Sequence, residues 1–139
     1  MHPWHHSVSS ARKHGGKPED YLKLHNWFDQ SKEHYADFRH RALRHHTLGI
    51  YQAEQHFGAT VVNSDGRHVP TRILGEQHVK EDLGRIPTLA DWLSNIRGQP
   101  WMHRHTPRAE PFAHQPDQCP SNHWNRGDDV CADCGAWLG

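Results

Sequence analysis

Cys119, His123, Cys131 and Cys134 stand within sixteen residues of one another, in the order Cys-x3-His-x7-Cys-x2-Cys. Three thiols and an imidazole are the kind of donor set that a tetrahedral zinc ion takes. The Cys-x2-Cys pair can put two sulfurs on one side of the ion, and Gly135 directly after it permits a sharp turn. Pro120 and Gly127 favour loops between the donors, and His114 is an alternative fourth ligand. With every position filled by protein, such a zinc knuckle serves as a structural staple or an interaction surface. The plain alternative is three thiols packed as small apolar groups. A redox Cys-x2-Cys is disfavoured, because no strand-to-helix pattern precedes it.

A second concentration of donors lies upstream. Sixteen of the 139 residues are histidine, the commonest metal ligand and a group that titrates near neutrality. Two His-x3-Asp elements stand out, His25 with Asp29 and His78 with Asp82. A separation of four puts both side chains on one face of a helix. Either carboxylate can bind a metal directly or hold the second ring proton of its histidine. His46 falls on an apolar face with Ile50 and Ala53, and Glu54 is one residue from that face. His25, His46, His78 and Asp82, with Asp29 or Glu54 assisting, make a candidate mixed nitrogen and oxygen site. Such donors suit a second divalent ion, zinc, iron or manganese. The bland reading competes, since a chain so rich in histidine carries some His-x3-Asp pairs by chance. His5, His6, His34, His40, His45 and His56 are read as surface residues or as supports for ligands.

The segment RHRALRHH carries Arg39, Arg41 and Arg44. Three arginines pointing in different directions round a helix describe a solvated basic face, or else some of them clamp phosphate near a metal.

Composition narrows the classes. Sixteen Lys and Arg balance sixteen Asp and Glu, so no global field draws the chain to DNA or to a membrane surface. No stretch approaches the roughly 18 apolar residues of a membrane span, and the N-terminus lacks the apolar core of a signal peptide. An odd cysteine count with a Cys-x2-Cys favours thiolate–metal bonds in a reducing compartment, which makes the cytoplasm the expected location. Hydrophobic residues are only 34% of the chain, below the usual share for a globular domain. Bound metal would supply the missing cross-links.

The elements that must position these donors are mainly helical. Residues 1–16 read as a polar arm with one short helix. Pro18, Glu19 and Asp20 then suit a helix start. Leu24, Phe28, Tyr35 and Phe38 continue one stripe, as one long helix or two joined near Asp37. Leu43, His46, Ile50, Ala53 and Phe57 form the next helical face, stopped by Gly58. Val61 and Val62, an Asn-Ser-Asp-Gly turn, and Val69 to Leu74 predict a short hairpin, with Pro70 at an edge. GEQHVKEDLG predicts one or two helical turns closed by Gly84. Thr88 caps a last helix running to Gly98, with Asp91 at the capping-box position. The expected architecture is α+β, mainly α with a short β-hairpin. A histidine-rich helical domain (1–102) precedes a Pro/His-rich linker (103–113) and a zinc-knuckle-like segment (114–139).

The strings HxWFDxSKxxxxDFRHRALRHH, NSDGRHVPTR and GEQHVKEDLGRIP resemble a small histidine-rich family of unknown function found in bacteria and their phages. The likeness runs from about His2 to Trp101 and does not extend to the cysteine tail. It implies one compact domain and a bacterial or phage source, and it lends no catalytic role. The histidine and aspartate pattern is also similar to helical metal-dependent phosphohydrolases of the HD type, although their adjacent His-Asp pair is absent.

Two functions follow as expectations. In the first, a divalent ion at His25, His46, His78 and Asp82 acidifies a water for hydrolysis of a phosphoester or nucleotide. Glu54 or Glu76 would act as general base there, and Arg41 or Arg44 would stabilise phosphoryl charge. In the second, the helices are a zinc-stabilised scaffold without catalysis, and the cysteine segment meets a protein or nucleic-acid partner. No serine-hydrolase elbow or glycine-rich phosphate loop supports another enzyme class.

Overall fold

In the computed structural model of the chain, residues 1–103 are described. The expected ligands Cys119, His123, Cys131 and Cys134, and all but the first residue of the expected linker, lie outside the described residues. Five α-helices carry most of the described backbone: α1 (Pro3–His14), α2 (Glu19–Asp29), α3 (Thr47–Phe57), α4 (Thr71–Leu83) and α5 (Leu89–Leu93). Strands β1 (Thr60–Val62) and β2 (His68–Pro70) pair antiparallel, with Val61 opposite Val69 and Thr60 opposite Pro70. The α+β class expected from the sequence is therefore the observed one. Among the described residues, no helix is long and apolar enough to cross a membrane.

Local chemistry explains most boundaries. The His2 ring accepts the Trp4 N–H at the start of α1, Pro3 occupies its first turn, and Arg12, Lys13 and His14 complement the dipole at its end. Glu19 and Asp20 open α2, and Gly58 closes α3 with φ of 92°, a backbone shape that favours glycine. In the hairpin turn, Asn63 Oδ1 accepts the N–H groups of Asp65 and Arg67. Thr88 and Asp91 form the reciprocal capping box of α5.

Four elements differ from the sequence reading. The polar arm is a full twelve-residue helix, α1, whose buried face is His6, Ser7 and Ser10. A face without apolar residues gives no hydrophobic period, so the helix is invisible to that signal. The stripe after α2 breaks into two 3₁₀ turns, Gln30–Glu33 and Phe38–Leu43, the second started by Asp37 accepting the Arg39 N–H. The strand expected through Leu74 ends at Pro70, and α4 begins at once, with Thr71 anchored to the carbonyls of Gly58 and Ala59. The last helix stops at Leu93, short of Gly98.

The apolar core is small: Tyr21, Leu24, Phe28, Ile50, Ala53, Val69, Leu74 and Val79. Thirteen polar or charged residues are buried beside these eight among the described residues, so interior stability depends on how well polar groups are paired. Gly75 lets α4 close on its neighbours, because a Cβ there would press on Phe28 and Ile50 at 3.1 and 3.2 Å.

Candidate metal centre

Three helices and one loop residue build a buried polar cluster within Met1–Asn95. α1 contributes His6 and Ser10, α2 contributes His25 and Asp29, and α4 contributes Gln77, His78, Glu81 and Asp82. His45 enters just before α3, its carbonyl held by the indole N–H of Trp92 at 3.0 Å. The buried stripe of α2 continues from Tyr21, Leu24 and Phe28 into His25 and Asp29. Apolar packing thus fixes the same face that presents the donors. Phe28 lies nearly parallel to the His78 ring at 4.9 Å, which sets the plane of that ring.

Two carboxylates face three imidazole nitrogens. His78 Nε2 is 3.4 Å from Asp29 Oδ1 and 3.3 Å from Asp82 Oδ2. His45 Nε2 is 3.5 and 2.9 Å from the same two oxygens. His6 Nε2 lies 3.1 Å from Asp82 Oδ1. Donors on a tetrahedral zinc ion, with bonds of about 2.0–2.1 Å, stand about 3.3 Å apart, close to these separations. His6, Asp29, His78 and Asp82 each offer a donor atom, all within 4.8 Å of one another, so the cluster could hold a metal ion.

Gln77 Nε2 donates to the His6 carbonyl and to Glu81, which leaves its Oε1 as an acceptor whose only donor among the described residues is Ser10. Ser10 has one hydroxyl proton. With that proton on Gln77 at 3.1 Å or on the His6 carbonyl at 3.0 Å, the bond of 2.8 Å to His25 Nε2 is donated by the ring. Neutral His25 then has a lone pair on Nδ1, which accepts from His78 Nδ1 at 2.9 Å. In that arrangement the proton of neutral His78 is on Nδ1, and its Nε2 stands 3.4 and 3.3 Å from two carboxylate oxygens. Nε2 is buried and makes no hydrogen bond to either oxygen, and Asp29 Oδ2 likewise has no hydrogen-bond partner among the described residues. Asp82 Oδ1 has the Met1 ammonium at 3.0 Å and Arg41 Nη2 at 3.9 Å, whereas Asp29 faces only the rings of His45 and His78 among the described residues.

The outer contacts resemble those that orient metal ligands. His6 presents Nε2 to Asp82 while Nδ1 is held by Glu81 at 2.9 Å, and Glu81 is itself fixed by Ser9 at 2.6 Å. His78 presents Nε2 while Nδ1 is held by His25.

Electrostatics follow the same map. Burial disfavours ionised Asp82, yet the rings of His45, His6 and His78 outweigh it and hold its pKa well below the carboxylate range. Asp29 is lowered in the same way, burial being outweighed by His45 and His78. Burial also opposes charge on His6, but the bonds to Asp82 and Glu81 prevail and raise its pKa. His25 is pushed down to about 2, first by burial and then by His78 and His6, which keeps its ring neutral.

The structure brings His25, Asp29, His78 and Asp82 into one cluster. His46 is engaged elsewhere: Nδ1 accepts the Gly49 N–H as the cap of α3, and Nε2 lies 3.0 Å from the Ala42 carbonyl. Glu76 is turned to Arg72 at 3.5 Å. Glu54 is half-buried on α3 and makes no side-chain hydrogen bond or ion pair among the described residues. Arg44 stacks on Trp27 and donates to its carbonyl, whereas Arg41 Nη2 approaches Asp82 Oδ1 at 3.9 Å. His6 and His45 enter the cluster although the sequence marked them only as surface or supporting residues. A repeat of polar residues at helical spacing in His6 and Ser10 was the available signal for the first. A cleft of about 640 Å³ opens on Asp29, with Trp27, Lys23, Lys32 and His56 among its walls.

This is an α+β domain whose interior is organised round a histidine and aspartate cluster able to hold a metal ion. The profile of the family described as Domain of unknown function (DUF6915) matches residues 1–102, and the chain belongs to that family. Among curated proteins and among solved structures, none matches the chain.

Proposed function

We propose that the helical domain is a divalent-metal-binding domain whose centre is Asp29, His78 and Asp82, completed by His6 and His45. The observation that carries this reading is His78 Nε2, enclosed 3.4 and 3.3 Å from two buried carboxylates without a hydrogen bond to either. Imidazole and carboxylate donors suit zinc, iron or manganese. The reaction that best fits the donor set is hydrolysis of a phosphoester, to which such an ion lends charge stabilisation and an acidified water. Access is supported by the cleft that reaches Asp29. Asp29 and Asp82 would hold the ion, His25 and Glu81 would orient His78 and His6, and the apolar ring of Phe28 would keep water from one side.

Elemental analysis of the full chain, loaded with zinc, manganese or ferrous iron, tests this directly. Wild type should hold a metal that His78→Ala and Asp82→Asn lose, and loaded wild type should hydrolyse p-nitrophenyl phosphate. Unchanged metal content in both variants would refute the centre. Metal binding without hydrolysis of any phosphoester offered would leave the domain a binding protein.

Burial of the donors favours a second, non-catalytic reading. His6, His45 and His78 are fully enclosed, as in a metal that staples helices together. In that case the metal raises thermal stability and no turnover is found, and the cysteine segment supplies the contact with a protein or nucleic-acid partner.

A further inference from the structure

His45 differs from the other two histidines that face Asp82. The rings of His6 and His78 are held from behind, Nδ1 of His6 by Glu81 and Nδ1 of His78 by His25. Nδ1 of His45 is buried with no partner among the described residues. A histidine that ligates a metal is ordinarily fixed by a contact at its second ring nitrogen. His45 has no such contact, so its place 2.9 Å from Asp82 is set through its backbone and the packing of its ring. His6, Asp29, His78 and Asp82 stand on helices, whereas His45 lies in the turn between the 3₁₀ segment Phe38–Leu43 and α3.

That turn is anchored from two sides. Its own segment supplies one bond, from the His45 N–H to the Arg41 carbonyl at 2.8 Å. The stretch from Pro87 into α5 supplies two. Trp92 Nε1 donates to the His45 carbonyl at 3.0 Å, and the Pro87 carbonyl accepts the Thr47 N–H at 2.9 Å. α5 itself is lightly held: it has five residues, none of them fully buried, and its capping box joins only its own Thr88 and Asp91. An element with so few enclosed contacts opens at lower cost than the core. The rings of His6, His45 and His78 and the Asp82 carboxylate are enclosed, so an ion is exchanged only when part of the wall moves.

We propose that α5 is the clasp of the metal centre: Trp92 positions His45, and loosening of α5 frees this one donor to let the ion in and out. The proposal rests on the metal reading above and adds how that site is opened. Trp92 touches no donor atom and is a positioning residue.

The test follows release of Co²⁺ from the loaded full chain to a chromogenic chelator by stopped flow. Cys131→Ser and Cys134→Ser are present throughout, so that the cysteine segment adds no ion. Trp92→Phe keeps an aromatic ring and loses the N–H; it should release Co²⁺ about tenfold faster or more, the scale of losing a contact that orients a ligand. Thr88→Ala, which uncaps α5 without touching His45, should act in the same direction. In a His45→Ala background neither change should alter the rate, because the residue they act through is gone. A speed-up that persists in that background marks general loosening and overturns the proposal. Release at the wild-type rate from both Trp92→Phe and Thr88→Ala overturns it as well, leaves the metal centre standing, and makes the cleft at Asp29 the route of the ion. If Trp92→Phe fails to fold by circular dichroism, Thr88→Ala decides by the same criteria. If His45→Ala holds no ion, the absorption bands of bound Co²⁺ decide: a shift in Trp92→Phe supports the clasp, and unchanged bands overturn it. Wild type whose helical domain takes up no Co²⁺ removes both readings.

Discussion

His25 and His78 meet Nδ1 to Nδ1 at 2.9 Å in a fully buried setting, and a contact of that kind carries one proton between two rings. The contact couples the hydroxyl of Ser10 on one side to the carboxylates of Asp29 and Asp82 on the other. A change at Ser10 is therefore felt at His78 Nε2 without touching it.

That coupling predicts a cost at a distance. Ser10→Ala and Glu81→Gln alter only the groups behind His78 and His6, through His25 and directly. Each should weaken metal affinity by about 10–100-fold while leaving a measurable site, as changes to groups that orient metal ligands do. Competition with a chromogenic chelator measures this. Affinity equal to wild type in both variants would show that the outer contacts orient nothing.

The metal-free protein should be most stable near neutral pH. His25 is held neutral in the fold with its pKa pushed down to about 2, against 6.5 when unfolded. Its contribution is complete above 6.5 and is lost as acid protonates the unfolded chain preferentially. That loss amounts to roughly 1.5 kcal/mol between pH 6.5 and about pH 5 from this residue alone. His6 acts in the opposite sense: its raised pKa stabilises the fold below 6.5, and that contribution fades as pH rises through its folded value. Asp29 and Asp82, lowered from 3.8, add a further loss only in stronger acid. Urea midpoints of chelator-treated protein across this range check the order of events. A midpoint that rises on going from pH 6.5 to about pH 5 would contradict the neutral His25.

His46 and Gly49 should separate architecture from chemistry. The His46 ring caps α3, and a Cβ on Gly49 would collide with the Arg44 carbonyl. His46→Ala should cost about 1 kcal/mol as a lost cap, and Gly49→Ala on the order of 1–3 kcal/mol as overpacking. Metal stoichiometry should stay at the wild-type value in His46→Ala. Loss of one metal equivalent there, with the helix content intact by circular dichroism, would restore His46 as a ligand.

The cysteine segment makes an independent claim. Cys131→Ser with Cys134→Ser should remove one zinc from the full chain and leave the metal of the helical domain, since the two donor sets share no residue. Elemental analysis before and after the double substitution reads it out. Two-metal stoichiometry surviving in the double variant would exclude a zinc knuckle.

Much of the architecture is local and therefore legible in the order of residues. Leu24 and Phe28 set a helical stripe, Gly58 and Gly84 stop helices, Thr88 and Asp91 box a cap, and Val61 finds Val69 across an Asn-Ser-Asp-Gly turn. The spacing of four in His25/Asp29 and His78/Asp82 likewise belongs to the helix itself, and so it could be seen without a partner. Chain order alone could not tell which of sixteen histidines come together. α1 hides its inward face because that face is His6, Ser7 and Ser10 rather than leucines. His6 reaches Glu81 across 75 residues, and His45 reaches Asp82 across 37. Adjacent in sequence, His45 and His46 part company, one ring turned to the carboxylates and the other back on its own helix. Such outcomes depend on how helices pack, where long-range contacts decide which polar group is enclosed with which, and no local period encodes that choice.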